Sequence, residues 1–292
     1  MAIILDGKII SAKIRADLRT RLETELARGG VRPFLTAMQV GEFLPSTVYI
    51  KAKAKACAEI GFGFRHYQLP EQTTIEELKQ AVQECNLDPG THGLLVQSPL
   101  PKHLDEVEVQ RLVDPEKDVD CFHPENVGLL YIGRPRYQPC TAAGIIELLL
   151  AYNINPAGKR VVIIGRSVIV GRPLAVMMAL KARGGDATVT LCHSRTQDLP
   201  SICRQADILI PAVGVTEMVK GDWVKEGSVV VDVGINRVPD ASKKIGYRLV
   251  GDVAFAEVEP KVSAIAPVPG GVGPMTVAIL CSNLMRAARY YL

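Results

Sequence analysis

Between Lys159 and Phe255 five short β-branched segments recur: KRVVIIG (159–165), ATVTLCHS (187–194), ADILIPAVG (206–214), GSVVVDVGIN (227–236) and RLVGDVAF (248–255). Most are separated by stretches long enough for a helix. Strands that alternate with helices specify a parallel sheet, and this rhythm is that of a doubly wound nucleotide-binding domain. The chain upstream has a similar alternation. Ala12–Ala27 reads as an amphipathic helix, 34–41 as a buried strand, GFRHYQL (63–69) as a strand, 74–86 as a helix capped by Thr73 or Thr74, and GLLVQSPLP (93–101) as a strand stopped by its prolines.

A chain of 292 residues exceeds what one core usually holds and suggests two domains. The polar, turn-rich 114–128 is followed by a helix over 141–153 that connects two lobes, and a last helix over 276–292 is long enough to cross back. The expected division is therefore 1–140 with 276–292 as a catalytic domain, and 141–275 as a nucleotide-binding domain.

Composition narrows the function. With 48% hydrophobic and 22% charged residues the chain reads as globular and soluble, and its apolar runs are too short for a bilayer. The opening stretch meets charges after a few apolar residues, unlike a secretory signal. Seven scattered cysteines without a C-x-x-C pair argue against a disulfide framework or a zinc site and fit a cytoplasmic protein. A net charge of +3 without a basic stripe gives no reason to expect nucleic-acid binding.

The segment RVVIIGRSVIVGRPLAV runs from a strand through Gly165 to Gly171 at a helix start, where free N–H groups can hold a phosphate. Its spacing, G-x-S-x-x-x-G, is a variant one. The next strand ends in His193, Ser194, Arg195 and Thr196 with no acid to bind ribose hydroxyls. Together with Arg166 this favours the 2′-phosphate of NADP over NAD.

Three further stretches carry chemistry. In LPSTVYIKAKAKA (44–56), read as a helix over 46–60 with Ser46 as cap, Lys53 lies about 40° round the axis from Tyr49. Lys51 and Lys55 point to the outer half. The loop APVPGGVGPMT (266–276) combines glycines, which admit a ligand close to backbone, with stiffening prolines. Asp118 and Asp120 share one side of an extended segment; a carboxylate there could grip a planar amino-heterocycle or simply cap a turn.

These motifs together resemble the bifunctional methylenetetrahydrofolate dehydrogenase/methenyltetrahydrofolate cyclohydrolase family. PVPGGVGPMT, GRSVIVGRP, KDVD…HPENVG, DVGIN and S-x-x-Y-x-x-x-K occur in family order over almost the whole chain. The resemblance implies an α/β protein of two lobes, an N-terminal catalytic domain and a Rossmann-like NADP-binding domain, joined by long helices. It implies catalysis by Lys53 with Tyr49, Gln97 and Asp120, and substrate contacts from Tyr49, Ser46, Asp120, Pro269, Gly270 and Gly271. Cofactor contacts would come from Thr141, Gly165, Arg166, Ser167, Ser194, Ile235 and Thr276, with no metal. It further implies tetrahydrofolate derivatives as substrates and a homodimer formed through the cofactor lobes.

On this expectation hydride leaves the methylene carbon for the nicotinamide, and Lys53, partly withdrawn from water, shuttles protons for cyclohydrolysis. Gln97 would fix its amine, and one of Asp118 and Asp120 would bind the pterin. Ser98 and Cys121 depart from the family's leucine and glycine and bear on loop shape near the folate. A short-chain dehydrogenase, which also uses Tyr-x-x-x-Lys, is excluded because the pair here precedes the phosphate turn by more than a hundred residues. Three readings compete: a shikimate-type or amino-acid dehydrogenase, a dehydrogenase without cyclohydrolase activity, and an inactive folate binder.

Overall fold

The computed structural model describes residues 2–243 and 246–289. The chain forms two compact units, one of residues up to 11 with 141–276, the other of 12–140 with 277 onward. The chain passes between them within three helices, α1 (Gly7–Ala27), α6 (Cys140–Ala151) and α10 (Val272–Ala287).

In the unit of residues 12–140, three parallel strands lie in the order β3-β2-β4, with β2 (Phe34–Val40) between β3 (Gly63–Leu69) and β4 (Gly93–Val96). Six of the seven residues of β2 are buried, as expected of a central parallel strand covered on both faces. Met38, Val40, Leu94 and Val96 pack with Leu78, Ala81, Val82 and Cys85 of α3 (Ile75–Leu87). Thr74 starts α3 through a capping box: its hydroxyl accepts from the Glu77 N–H, and Glu77 reaches back to the Thr74 N–H. β4 ends at Val96, short of the expected 101, although Gln97 N–H still donates to the Met38 carbonyl at 2.8 Å. Pro99 and Pro101, having no N–H, cannot extend the ladder.

Between β2 and β3 runs α2 (Leu44–Ile60). It begins two residues before the expected start, just after the extended Phe43, and no side chain caps it. Ser46 therefore lies inside the first turn and is not its cap. The helix ends at Gly61 with φ 97°, a left-handed conformation suited to glycine. Two short helices, α4 (Glu106–Gln110) and α5 (Pro124–Tyr131), follow β4.

The other unit holds a six-stranded parallel sheet in the order β1-β11-β8-β7-β5-β6. Its strands are β1 (Ile3–Ile4), β5 (Arg160–Ile164), β6 (Thr188–Cys192), β7 (Ile208–Pro211), β8 (Val229–Val231) and β11 (Ala264–Ala266). Helices α7 (Gly171–Ala179), α8 (Leu199–Cys203) and α9 (Phe255–Val258) lie in its connections. The strand order reverses at β5, with β6 on one side and β7 on the other, which makes a switch point at the carboxyl ends of β5 and β7.

Four of the five expected segments supply strands here. The fifth does not: β10 (Tyr247–Val250) pairs antiparallel with β9 (Asn236–Pro239) in a separate hairpin, with the Arg237 guanidinium 4.7 Å from the Tyr247 ring centroid. The sheet takes β11 and β1 instead. Residues 2–11, grouped with the catalytic domain on sequence, pack here with the unit of 141–276 through the pairing of β1 with β11. The part of the expected last helix beyond 289 lies outside the described residues. Among the described residues no helix is long and apolar enough to cross a membrane.

Candidate active site

Helix α2 buries Lys53 to 7% exposure while Lys51 and Lys55 stay exposed. Tyr49, one turn earlier, is 37% exposed, and burial of the rest raises its phenol above the ordinary value, so it stays neutral at pH 7. Lys53 Nζ donates to Gln97 Oε1 at 3.1 Å and stands 3.6 Å from Asp120 Oδ2. Gln97 is itself oriented by donating from Nε2 to the Ser98 carbonyl at 2.8 Å. Ser46, 2% exposed, donates to the same carbonyl at 3.2 Å. The Ser98 side chain takes no part in these bonds, so its departure from leucine leaves the arrangement in place.

Asp120 reaches Lys53 because its loop is fastened on two sides. The Leu94 N–H of β4 donates to the Lys117 carbonyl at 2.8 Å, and Asn283 of α10 donates to the Val119 and Gln138 carbonyls, each at 2.8 Å. Asp118 behaves differently. It is 3% exposed, and its carboxylate accepts from Phe122 N–H at 3.1 Å, His123 N–H at 2.8 Å and Asn126 Nδ2 at 2.8 Å. Burial pushes it up to about 6 against the pull of these donors. Asp118 shapes the turn, and Asp120 is the acid beside the lysine. Sequence reasoning missed the Lys53–Asp120 pairing and the anchors Asn283 and Cys140. The Cys140 thiol, pushed well up by burial and by the nearby Asp120 charge, donates to the Val119 carbonyl at 3.5 Å beside that loop.

Cys121 has φ 64°, the left-handed region that costs a non-glycine residue about 1 kcal/mol or more. This is the position where the family resemblance expects glycine. The thiol is buried and donates to the Tyr137 carbonyl at 3.4 Å.

In the other unit, the loop after β11 is held by the N-terminal segment. Gly7 N–H donates to the Gly270 carbonyl at 3.0 Å, and a Cβ on Gly7 would stand 1.8 Å from the Gly271 carbonyl oxygen. Gly270 has φ 113°. Gly271 N–H closes the turn onto the Pro267 carbonyl at 2.9 Å. Pro269, Gly270 and Gly271 therefore sit in a fixed loop backed by Gly7, which sequence reasoning overlooked. Thr276 donates to the Thr141 hydroxyl at 3.3 Å, joining the first turns of α10 and α6.

The phosphate turn is equally tight. Gly165 N–H donates to the Cys192 carbonyl at 2.9 Å, tying the end of β5 to that of β6, and a Cβ on Gly171 would meet the Gly165 carbonyl oxygen at 1.8 Å. Ser167 Oγ accepts from Val170 N–H at 3.1 Å. Arg166, Ser194 and Arg195 are exposed, and among the described residues neither arginine is in an ion pair. A helix N-terminus, free amides and two unpaired cations fit a phosphorylated dinucleotide. Ile235 is 46% exposed after β8. Among the described residues no three or more His, Cys, Asp or Glu side chains form a group that could hold a metal ion.

Comparison with known proteins divides the chain between 120 and 139 and differs from the compact units at the ends, taking 5–11 with the first part and 277 onward with the second. Residues 5–120 match the family described as tetrahydrofolate dehydrogenase/cyclohydrolase, catalytic domain, and residues 139–292 its NAD(P)-binding domain. The chain is 49% identical over 292 residues to the bifunctional protein FolD of Chloroherpeton thalassium, covering 99% of each. It is similar to the crystal structure of the bifunctional enzyme FolD, methylenetetrahydrofolate dehydrogenase/cyclohydrolase, from Campylobacter jejuni, with TM-score 0.93, 44% identity and all of each chain covered. The Trypanosoma brucei N5,N10-methylenetetrahydrofolate dehydrogenase-cyclohydrolase, complexed with NADP cofactor and inhibitor, gives TM-score 0.93 at 40% identity, with 99% of this chain and 97% of that one covered.

Proposed function

This chain belongs to the tetrahydrofolate dehydrogenase/cyclohydrolase family, and from that membership we infer how its own residues carry the two reactions. The enzyme oxidises 5,10-methylenetetrahydrofolate to the 5,10-methenyl compound with a nicotinamide cofactor and hydrolyses that product to 10-formyltetrahydrofolate. Bound NADP+ supplies the hydride acceptor. The nitrogens flanking the methylene carbon stabilise the cation left behind, so the first step needs a positioned substrate and no strong base.

The second step needs a proton carrier. Water adding to the methenyl carbon gives up a proton, and opening of the ring then places one on the departing ring nitrogen. We assign this traffic to the Lys53 amine, and the observation that carries the assignment is its burial between Gln97 Oε1 and Asp120 Oδ2. Gln97 Oε1 fixes one N–H bond, the Asp120 carboxylate holds the amine as an ion-pair partner, and the rest of the amine is left for substrate or water. Tyr49 contributes a ring face for stacking and a neutral phenol, and Asp120 binds the pterin or holds the lysine. Ser46 lines the same place, and the Pro269–Gly271 loop offers backbone groups to a ligand.

Arg166, Ser194 and Arg195 are assigned to the 2′-phosphate, Gly165 and Ser167 to the phosphate turn, and Thr141, Ile235 and Thr276 to further cofactor contacts. Arg195→Ala is expected to raise the KM for NADP+ about tenfold and to leave that for NAD+ unchanged, since one charged hydrogen bond is lost. Equal losses with both cofactors would remove the assignment. The protein is further proposed to act in the cytoplasm as a homodimer, without nucleic-acid or membrane partners; a monomer mass in sedimentation would overturn the dimer.

A further inference from the structure

Among the described residues two buried acids remain that none of these roles uses. Asp232 follows β8 and Asp252 follows β10, and they are 4% and 0% exposed. Each lies against a glycine that makes room for it. A Cβ on Gly251 would stand 1.8 Å from Asp232 Oδ2, and one on Gly234 would stand 2.1 Å from Asp252 Oδ1. The segments Asp232-Val233-Gly234 and Gly251-Asp252 therefore interlock.

All four carboxylate oxygens accept from N–H groups. Asp232 Oδ1 takes the Gly234 and Asp252 amides at 3.0 and 2.9 Å, and its Oδ2 takes Val253 at 3.0 Å. Asp252 Oδ2 takes the Val213 and Gly214 amides at 2.7 and 3.0 Å, and its Oδ1 takes Asn236 Nδ2 at 3.1 Å. Among the described residues no lysine, arginine or histidine forms an ion pair with either acid. With their lone pairs turned to the protein, the acids fasten the loops after β7, β8 and β10 to one another. The β7 loop in turn abuts the phosphate turn, since a Cβ on Gly165 would meet the Ala212 carbonyl oxygen at 2.2 Å. Ile235 stands exposed between Gly234 and Asn236, both held by the pair.

We infer that Asp232 and Asp252 are positioning residues for the dehydrogenase reaction, fixing the backbone at the carboxyl ends of β7 and β8 in the shape that receives the cofactor. The inference rests on the cofactor reading above. Burial, opposed by the amides and reinforced by the Asp252 charge, pushes Asp232 up to about 7. Asp252 is the charged group that acts on it, and the other groups facing it are backbone amides. Protonation would set an O–H against an N–H and loosen one tie.

The test measures NADP+ binding by calorimetry from pH 6 to 8.5, together with hydrolysis of methenyltetrahydrofolate without cofactor. Wild-type affinity is expected to weaken as pH falls through about 7. Asp232→Asn should bind weakly at every pH with a flat profile. Asp252→Asn should lose about tenfold in affinity, and the milder Asn236→Ala about threefold, each with hydrolysis unchanged. Unchanged affinity and pH profile in the variants, or a parallel loss of hydrolysis and melting temperature, would overturn the inference. Failure of the wild type to bind NADP+ would instead overturn the cofactor reading.

Discussion

Lys53 is selected among three lysines by what surrounds it. One helical turn aligns it with Tyr49, and this much is legible in the spacing Tyr-x-x-x-Lys. The oxygen that accepts from its amine comes from Gln97, just past the end of β4, and the carboxylate beside it from the 117–121 loop, and only the fold brings them in. Sequence alone likewise leaves Asp118 and Asp120 equivalent; three donors claim the first and free the second. Replacing Asp118 by Asn would turn an N–H toward one of those donors and is expected to cost about 1–3 kcal/mol. The loss depends on pH. The folded-state value of Asp118 is raised from 3.8 to about 6, so its contribution is full below about pH 4 and is lost as pH rises through about 6. The stability gap between wild type and Asp118→Asn, measured by urea titration, should therefore be larger at pH 5 than at pH 8; a gap that widened with pH would refute this account.

At the scale of elements, legibility follows length and local signals. Thr74 and Glu77 announce α3 because a hydroxyl and an acid three residues apart satisfy each other's N–H groups. Thr74→Ala should cost about 1 kcal/mol in denaturant unfolding and leave both activities unchanged, whereas no change in stability would mean that the box contributes nothing. By contrast, α2 has no side-chain cap, and Ser46 misled because it is a good cap residue whose hydroxyl is taken by the Ser98 carbonyl across the sheet end. β1 and β11, of two and three residues, are too short to show a period, and they stand only because β8 pairs with β11 and β11 with β1. The 247–250 strand has ordinary β character, but its partner lies in the same hairpin, a choice that β propensity does not encode.

For the molecule as a whole, the alternation of strands and helices was enough to predict two α/β units, while placing residues 2–11 required the parallel pairing of β1. The two chemistries make different demands on this chain. Oxidation needs the cofactor loops and a positioned folate, whereas hydrolysis needs a proton carrier and no dinucleotide. Lys53 is assigned as that carrier. To check this, reduced nicotinamide and the methenyl chromophore are followed separately while Lys53→Ala acts on methylenetetrahydrofolate and NADP+, with direct hydrolysis of methenyltetrahydrofolate as the second trace. Methenyl hydrolysis is expected to fall by at least about a hundredfold, the usual contribution of a general acid–base, with any methenyl product formed persisting. Hydrolysis at the wild-type rate in Lys53→Ala would contradict the assignment.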